Sequence, residues 1–313
     1  MRHHNHHHTD MAIARLVVSL LALTVLAALT ASSAVASRGH LFGQTFGWGV
    51  LDGKAELQTC TTACKSGIAG SGKGQFQAPA GLAVSEASED VYVLDKGNNR
   101  VERFSATGAY LGQFDGSGTF EVEGVEKTGQ PKPPTGKLLY QPGTSATIAV
   151  DNSCAQLKLS EPACKKADPS NGDVYVQDGF AHKVIDKFNQ SGEYVGQLVF
   201  PEGTKQVVLW GVAVDRGGAR GVAVAEGAFA QRFCKFTNAV ANEPAEAKCA
   251  EISASGIFLQ QGLAVDSEEN LYSGISPPGL KEVIAKFGAK GELLNGAIDE
   301  EEEATGVASE LPS

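Results

Sequence analysis

Histidine is nearly missing from most of this chain. Seven are present, but five stand in the first eight residues, and only His40 and His182 lie beyond residue 36. That scarcity leaves too few ligands for a tetrahedral zinc site and supports no Ser-His-Asp set. Basic residues are also sparse: 26 Lys and Arg stand against 36 Asp and Glu, a net charge of −10. Residues 1–36 hold Arg2, Arg15 and Asp10, so the remainder is one charge more negative still. An acidic surface repels phosphate backbones, which excludes nucleic acid as an expected partner. No apolar run after Leu29 is long enough to cross a bilayer. No helical period appears after residue 36 either, so an α-helical fold is not expected.

The one apolar run present is Leu16–Leu29, preceded by Arg15 and followed by Ala34-Val35-Ala36. A basic start, a short apolar stretch and a small-x-small site describe a secretory signal peptide, assigned to residues 1–36. The His-rich opening, Met1 to Asp10, precedes a normal signal start at Met11 and reads as a spurious start. The expected location is therefore secreted or extracytoplasmic, with no stable membrane span after cleavage. Six cysteines follow residue 36 and fall into local couples: Cys60 with Cys64, Cys154 with Cys164, Cys234 with Cys249. Fifteen pairings are formally open. Locality and an oxidising compartment favour these three disulfides.

Four phrases repeat along residues 37–298. The first is Gly81-Leu82-Ala83-Val84, echoed at Ile148-Ala149-Val150, Val212-Ala213-Val214 and Leu263-Ala264-Val265. The second is Val91-Tyr92-Val93-Leu94-Asp95, echoed most closely at Val174-Tyr175-Val176-Gln177-Asp178. The third holds apolar, variable, basic, Phe at Val101–Phe104, Ile185–Phe188, Phe233–Phe236 and Ile284–Phe287. The fourth follows a turn glycine, at Gly108–Phe114 and Gly192–Leu198, and Cys249–Ile252 is its expected counterpart in the third unit. β-Branched and aromatic residues in short runs between turns predict four antiparallel strands per unit. Repetition on this scale predicts an all-β fold of stacked blades, a β-propeller with four recognisable units, five or six if the long inserts supply further strands, and either a closed or an incomplete ring.

The first unit carries Pro79–Val84, Val91–Asp95, the turn Gly97-Asn98-Asn99-Arg100, then Phe104 and Gly108. This pattern resembles the NHL-repeat family of β-propellers. The second unit keeps Asp178 and Phe188 but replaces the GNNR turn, and the later units are more degenerate. The resemblance implies four-stranded NHL-like blades and a binding platform, and it implies no particular reaction.

Candidate rim or turn residues are Asp95, Asn98, Asn99, Arg100 and Asp178. Asp at a strand end also caps the following turn through its own side chain. No catalytic or metal residue is assigned. Gly67–Gly74 departs from a phosphate-binding loop at its last position, where Ser or Thr is required. No cofactor is expected, and calcium is the one ion brought into question, by Asp115–Thr119 with Glu126 and by the acidic run Asp299–Glu303. Residues 299–313 read as an acidic, solvated tail. The function expected is a non-enzymatic binding or scaffold module for a protein or glycan ligand. The inserts Asp115–Ser145 and Ser153–Gly172 are its expected contact loops, removable without loss of fold. The alternative is a metal-dependent propeller hydrolase or lyase with a central-channel site.

Overall fold

The structure is a computed structural model describing residues 42–144, 146–160, 163–164, 166, 168–178, 182–198, 207–215, 220–226, 230–237, 246–252, 258–276 and 283–296. The signal segment 1–36 and the acidic stretch 299–313 lie outside the described residues. A hairpin of β1 (Thr45–Trp48) and β2 (Leu57–Cys60) comes first. Blade 1 is β3 (Gly81–Val84), β4 (Val91–Asp95), β5 (Arg100–Phe104) and β6 (Tyr110–Phe114), extended by β7 (Phe120–Val122) and β8 (Val125–Lys127). Blade 2 is β9 (Ile148–Val150), β10 (Val174–Asp178), β11 (Val184–Phe188) and β12 (Tyr194–Leu198), with a one-turn helix α1 (Ser153–Gln156) after its first strand. Blade 3 is β13 (Val207–Val214), β14 (Arg220–Glu226), β15 (Ala230–Thr237) and β16 (Glu246–Glu251). Blade 4 is β17 (Phe258–Val265), β18 (Leu271–Ser276), β19 (Val283–Phe287) and β20 (Leu293–Asn295). The fold is thus all-β, four antiparallel blades with almost no helix among the described residues.

Period-two alternation gives each blade two faces, and the blades bury them against one another. Val101 and Phe114 of blade 1 pack on Ile148, Val150 and Phe188 of blade 2. Ile185 and Leu198 of blade 2 pack on Val212 and Val214 of blade 3. Phe233 of blade 3 packs with Leu259, Ile275 and Phe287 of blade 4. The third-phrase phenylalanines, Phe104, Phe188, Phe236 and Phe287, are fully buried in all four blades. Deleting such a ring costs about 3–5 kcal/mol, so this column anchors each blade.

The basic residue of the third phrase ties β-strands to turns. Arg103 bonds Asp90 (Nε to Oδ2, 2.9 Å), Lys187 pairs with Asp173 at 2.8 Å, Lys235 with Asp215 at 2.9 Å, and Lys286 with Asp266 at 3.3 Å. Each acid lies on the turn between the first and second strands of its blade. Asp266 also accepts N–H bonds from Glu268 and Asn270, the local cap that a strand-end Asp makes. All three cysteine couples are bonded: Cys60–Cys64, Cys154–Cys164 and Cys234–Cys249.

Two expectations change. The insert Asp115–Ser145 is not a detachable loop, because it supplies β7 and β8 and buries Phe120, Leu138 and Tyr140 in the core between blades 1 and 2. The insert after β9 likewise buries Ser153, Cys154 and Ser170. Each insertion carries apolar or small residues at spaced positions, and folding recruits them wherever two blades leave room.

Candidate functional site

β4 ends at Asp95 and β10 at Asp178, and the segment leading from β8 to β9 bonds to the end of β10 and to the turn after β4. In blade 1, Asp95 ends β4, Lys96–Asn98 form a single 3-10 turn, and Asn99 adopts the left-handed conformation at φ 55°. Asn tolerates that conformation better than other residues with a side chain. A Cβ at Gly97 would collide with the carbonyl of Gln77, so only glycine fits there. Asp95 Oδ1 accepts the Gln77 N–H at 2.7 Å, and Oδ2 accepts from Asn98 Nδ2 at 2.6 Å and Arg100 Nε at 3.0 Å.

Arg100 is spent on its own fold. Its terminal nitrogens donate to the carbonyls of Ser71, Gly72 and Gln75 and to Gln113 Oε1, at 2.7–3.0 Å. The Gly67–Gly74 stretch therefore wraps a guanidinium with its carbonyls rather than a phosphate with its amides. Asn98 adds a bond to the Gly70 carbonyl at 2.9 Å.

Blade 2 repeats the plan with a histidine in place of the guanidinium. Asp178 Oδ1 accepts the Leu139 N–H at 2.9 Å, as Asp95 accepts that of Gln77. Its Oδ2 lies 2.6 Å from His182 Nδ1. Asn99 Oδ1 accepts the Tyr140 N–H at 2.7 Å, and Tyr140 Oη donates to the Gln177 carbonyl at 2.6 Å. Lys137–Tyr140 thus forms a strap pinned to both turns. Of the sequence candidates, Asp95, Arg100 and Asp178 are buried, while Asn98 and Asn99 reach open space.

That space is a pair of adjoining clefts. One, about 570 Å³, is lined by Asn98, Gln113, Asp115, Glu121, Glu126 and Lys137. The other, about 450 Å³, shares Asn98, Asp115 and Lys137 and adds Asn99, Thr135 and His182. Lys137 pairs with Asp115 at 2.7 Å and stays largely exposed. Glu121 is held by Lys73 at 2.8 Å. Glu126 sits on the exposed strand β8.

Two buried carboxyls beneath this face were not singled out by sequence. Glu102 takes the Gly74 N–H on Oε1 at 2.9 Å, and its Oε2 has no hydrogen-bond partner. Burial pushes its carboxyl up to about 7, against the pull of Arg100. Asp186 takes the Gln197 amide on Oδ1 at 2.7 Å. Burial, with the Asp178 carboxylate beside it, pushes Asp186 up to about 8. Both residues occupy the variable position of the third phrase, one residue before the basic one. Alternation already placed that position on the face opposite the basic side chain. His182 also has a partner that sequence reasoning missed, because Asp178 lies across a turn four residues away.

Among the described residues no group of three or more His, Cys, Asp or Glu is placed to hold a metal ion. No helix among them is long and apolar enough to cross a membrane. Residues 76–104 match the NHL repeat family. The match ends at Phe104 and contains the whole GNNR turn. No curated protein matches the sequence. Among solved structures, the chain is similar to a streptogramin B lyase at 14% identity and TM-score 0.41, covering 72% of this chain and 56% of that one. A Bacteroides caccae protein of unknown function is similar at 11% identity and TM-score 0.44, covering 76% and 73%. A gluconolactonase from Xanthomonas campestris is similar at 14% identity and TM-score 0.36, covering 70% and 75%. The chain thus spans just over half of the lyase structure.

Proposed function

Taking the chain as one that carries an NHL repeat within a series of β-propeller blades, we propose that it is a secreted, non-enzymatic binding module. Its ligand site is the double cleft beside the turns of blades 1 and 2, and its ligand is a polar protein segment or glycan. One observation carries this reading. The carboxyls whose proton affinity burial raises, Glu102 and Asp186, are sealed from solvent. The groups facing the clefts include Asn98, Glu126 and Lys137, side chains suited to hydrogen bonds and ion pairs. A rigid wall of strands with polar side chains on inserted segments suits recognition better than acid-base chemistry. Three disulfides support an oxidising, extracytoplasmic setting.

The test is binding of purified residues 37–313 to glycan and peptide arrays, repeated with Lys137→Glu and Glu126→Lys. Both side chains are exposed, so folding should be unchanged. Loss of a specific signal in either variant supports the site. A signal that both variants retain overturns it.

A second reading rests on the Asp178–His182 pair. An aspartate on Nδ1 leaves Nε2 as the free ring nitrogen of a histidine that lines a cleft, the arrangement of a general base and its orienting acid. Ester and lactone hydrolysis by the purified protein, abolished in His182→Ala, would favour this reading. Equal turnover in both proteins would remove it.

A further inference from the structure

Each blade presents one face to the blade before it and another to the blade after it. In blade 2 the forward residues Ile148 and Val150 are 7% and 6% exposed, covered by blade 1. Their counterparts in blade 1, Leu82 and Val84, are 64% and 45% exposed. On the opposite faces, Val101 of blade 1 and Ile185 of blade 2 are fully buried, and Phe233 of blade 3 is 4% exposed. Their counterpart in blade 4, Ile284, is 51% exposed. The inner strands meet in series, β3 with β9, β9 with β13 and β13 with β17, and no contact of that extent joins β17 to β3. The series therefore has two uncovered ends, and they are opposite halves of an interface that the chain makes three times internally.

The uncovered face of blade 1 is also half prepared. Phe46 of β1 packs on Phe104 at 5.0 Å between ring centres, as Phe114 of β6 packs on Phe188 at 4.6 Å. The same equivalence holds at the turn glycines. A Cβ at Gly108 would meet Phe46, and one at Gly192 would meet Phe114. The β1–β2 hairpin thus stands where the outer edge of a preceding blade belongs, leaving the inner part, around Leu82 and Val84, open. Blade 4 is built to match. Its outer strand β20 is only Leu293–Asn295, against Tyr110–Phe114 and Tyr194–Leu198 in blades 1 and 2.

We infer that a second copy of this chain docks head to tail, with its blade 4 filling the open face of blade 1 under the β1–β2 hairpin. The contact is heterologous, so a two-chain assembly needs two such junctions and closes as a ring. The occupant is argued from the repeat: blade 4's outer face is the counterpart of the faces that already receive forward faces like Leu82–Val84. Exposed apolar side chains on an open strand face otherwise invite uncontrolled association.

Sedimentation velocity over a dilution series of residues 37–313 tests this, with Leu82→Asp and Ile284→Asp made separately. Wild type should sediment as an oligomer, and each variant as a monomer with unchanged circular dichroism. The two variants mixed should recover a dimer, because one retains an intact tail and the other an intact head. A monomeric wild type would overturn the proposal and assign the open faces to another chain or segment. An oligomer that survives both variants, or a mixture that stays monomeric, would overturn the head-to-tail geometry. None of these readouts depends on ligand binding.

Discussion

Blades 1 and 2 solve with side-chain polarity a problem that blade 3 solves with a covalent bond. In blade 1, Glu102 on β5 stands opposite Gln113 on β6, and in blade 2, Asp186 stands opposite Gln197. At the same register of blade 3 stand Cys234 and Cys249, joined as a disulfide. The third-strand member of the slot is buried in all three blades, and the slot links the third strand to the outermost one. A buried acid is costly unless it is paired, and each acid here is met by an amide or a neighbouring group. The disulfide needs no such neighbours. That difference explains why the polar framework around the turns is elaborate in blades 1 and 2: Arg100 and His182 belong to the same networks as the buried acids.

The largest effect should come from breaking that framework. Arg100→Ala would leave Asp95 and Glu102 buried without their cation, and loss of one partner from a buried pair costs about 3–5 kcal/mol. Urea denaturation of the oxidised protein measures it. Arg100→Lys should recover only part of the loss, because an ammonium cannot serve Asp95, Gln113 and three carbonyls from one planar group. Removing the blade 3 tie comes next. Cys234→Ala with Cys249→Ala opens a short loop and should cost about 3 kcal/mol by the same measurement. If the disulfide loss is the larger of the two, blade 3 and not the turn network is the weak point.

A pH-dependent effect separates the two solutions. Asp186 rises from 3.8 unfolded to about 8 folded, and Glu102 from 4.5 to about 7, both chiefly through burial. The folded state then binds more protons than the unfolded state between those values. Stability should fall as pH rises from about 4 to about 8 and level off above that. Asp186→Asn and Glu102→Gln should each flatten the slope, and the blade 3 double variant should leave it unchanged. Thermal melts across that range decide it. A slope unaffected by Asp186→Asn would mean that the carboxyl ionises in the folded protein.

Much of the fold could be read from residue pattern alone. The phrases at Gly81–Val84, Val91–Asp95 and Val174–Asp178 coincide with strands, and Cys249–Ile252 overlaps the outer strand of blade 3. These succeed because a half-buried strand writes its alternation directly into the sequence. The added strands Phe120–Val122 and Val125–Lys127 were not legible. Each is three residues long, too short to show a period, and is specified by its neighbours in space. The site was legible only in part. Asn98 and Asn99 could be placed on a turn from their type and position. The pairing of His182 with Asp178 depends on the path of the turn between them, and the clefts depend on where the strap Lys137–Tyr140 crosses.

The smallest expected effects concern the four basic residues of the third phrase, which share one position and differ in burial. Lys187 is almost fully buried against Asp173 and also donates to Ser170 at 2.9 Å. Lys286 pairs with Asp266 at 3.3 Å, and both remain about a quarter exposed. Solvent reaches the second pair, so its Coulomb gain is offset by the ordering of a long side chain, and Lys286→Ala should be the milder truncation. In blade 2 the same truncation removes a buried ion pair from Asp173 and a donor from Ser170, and should cost several-fold more. Salt sharpens the contrast. Raising ionic strength should erase the Lys286→Ala difference and leave the Lys187→Ala difference nearly intact, because a buried pair is screened far less than one in contact with solvent. Equal costs in the two blades would mean that the shared position, and not its burial, sets what the column contributes.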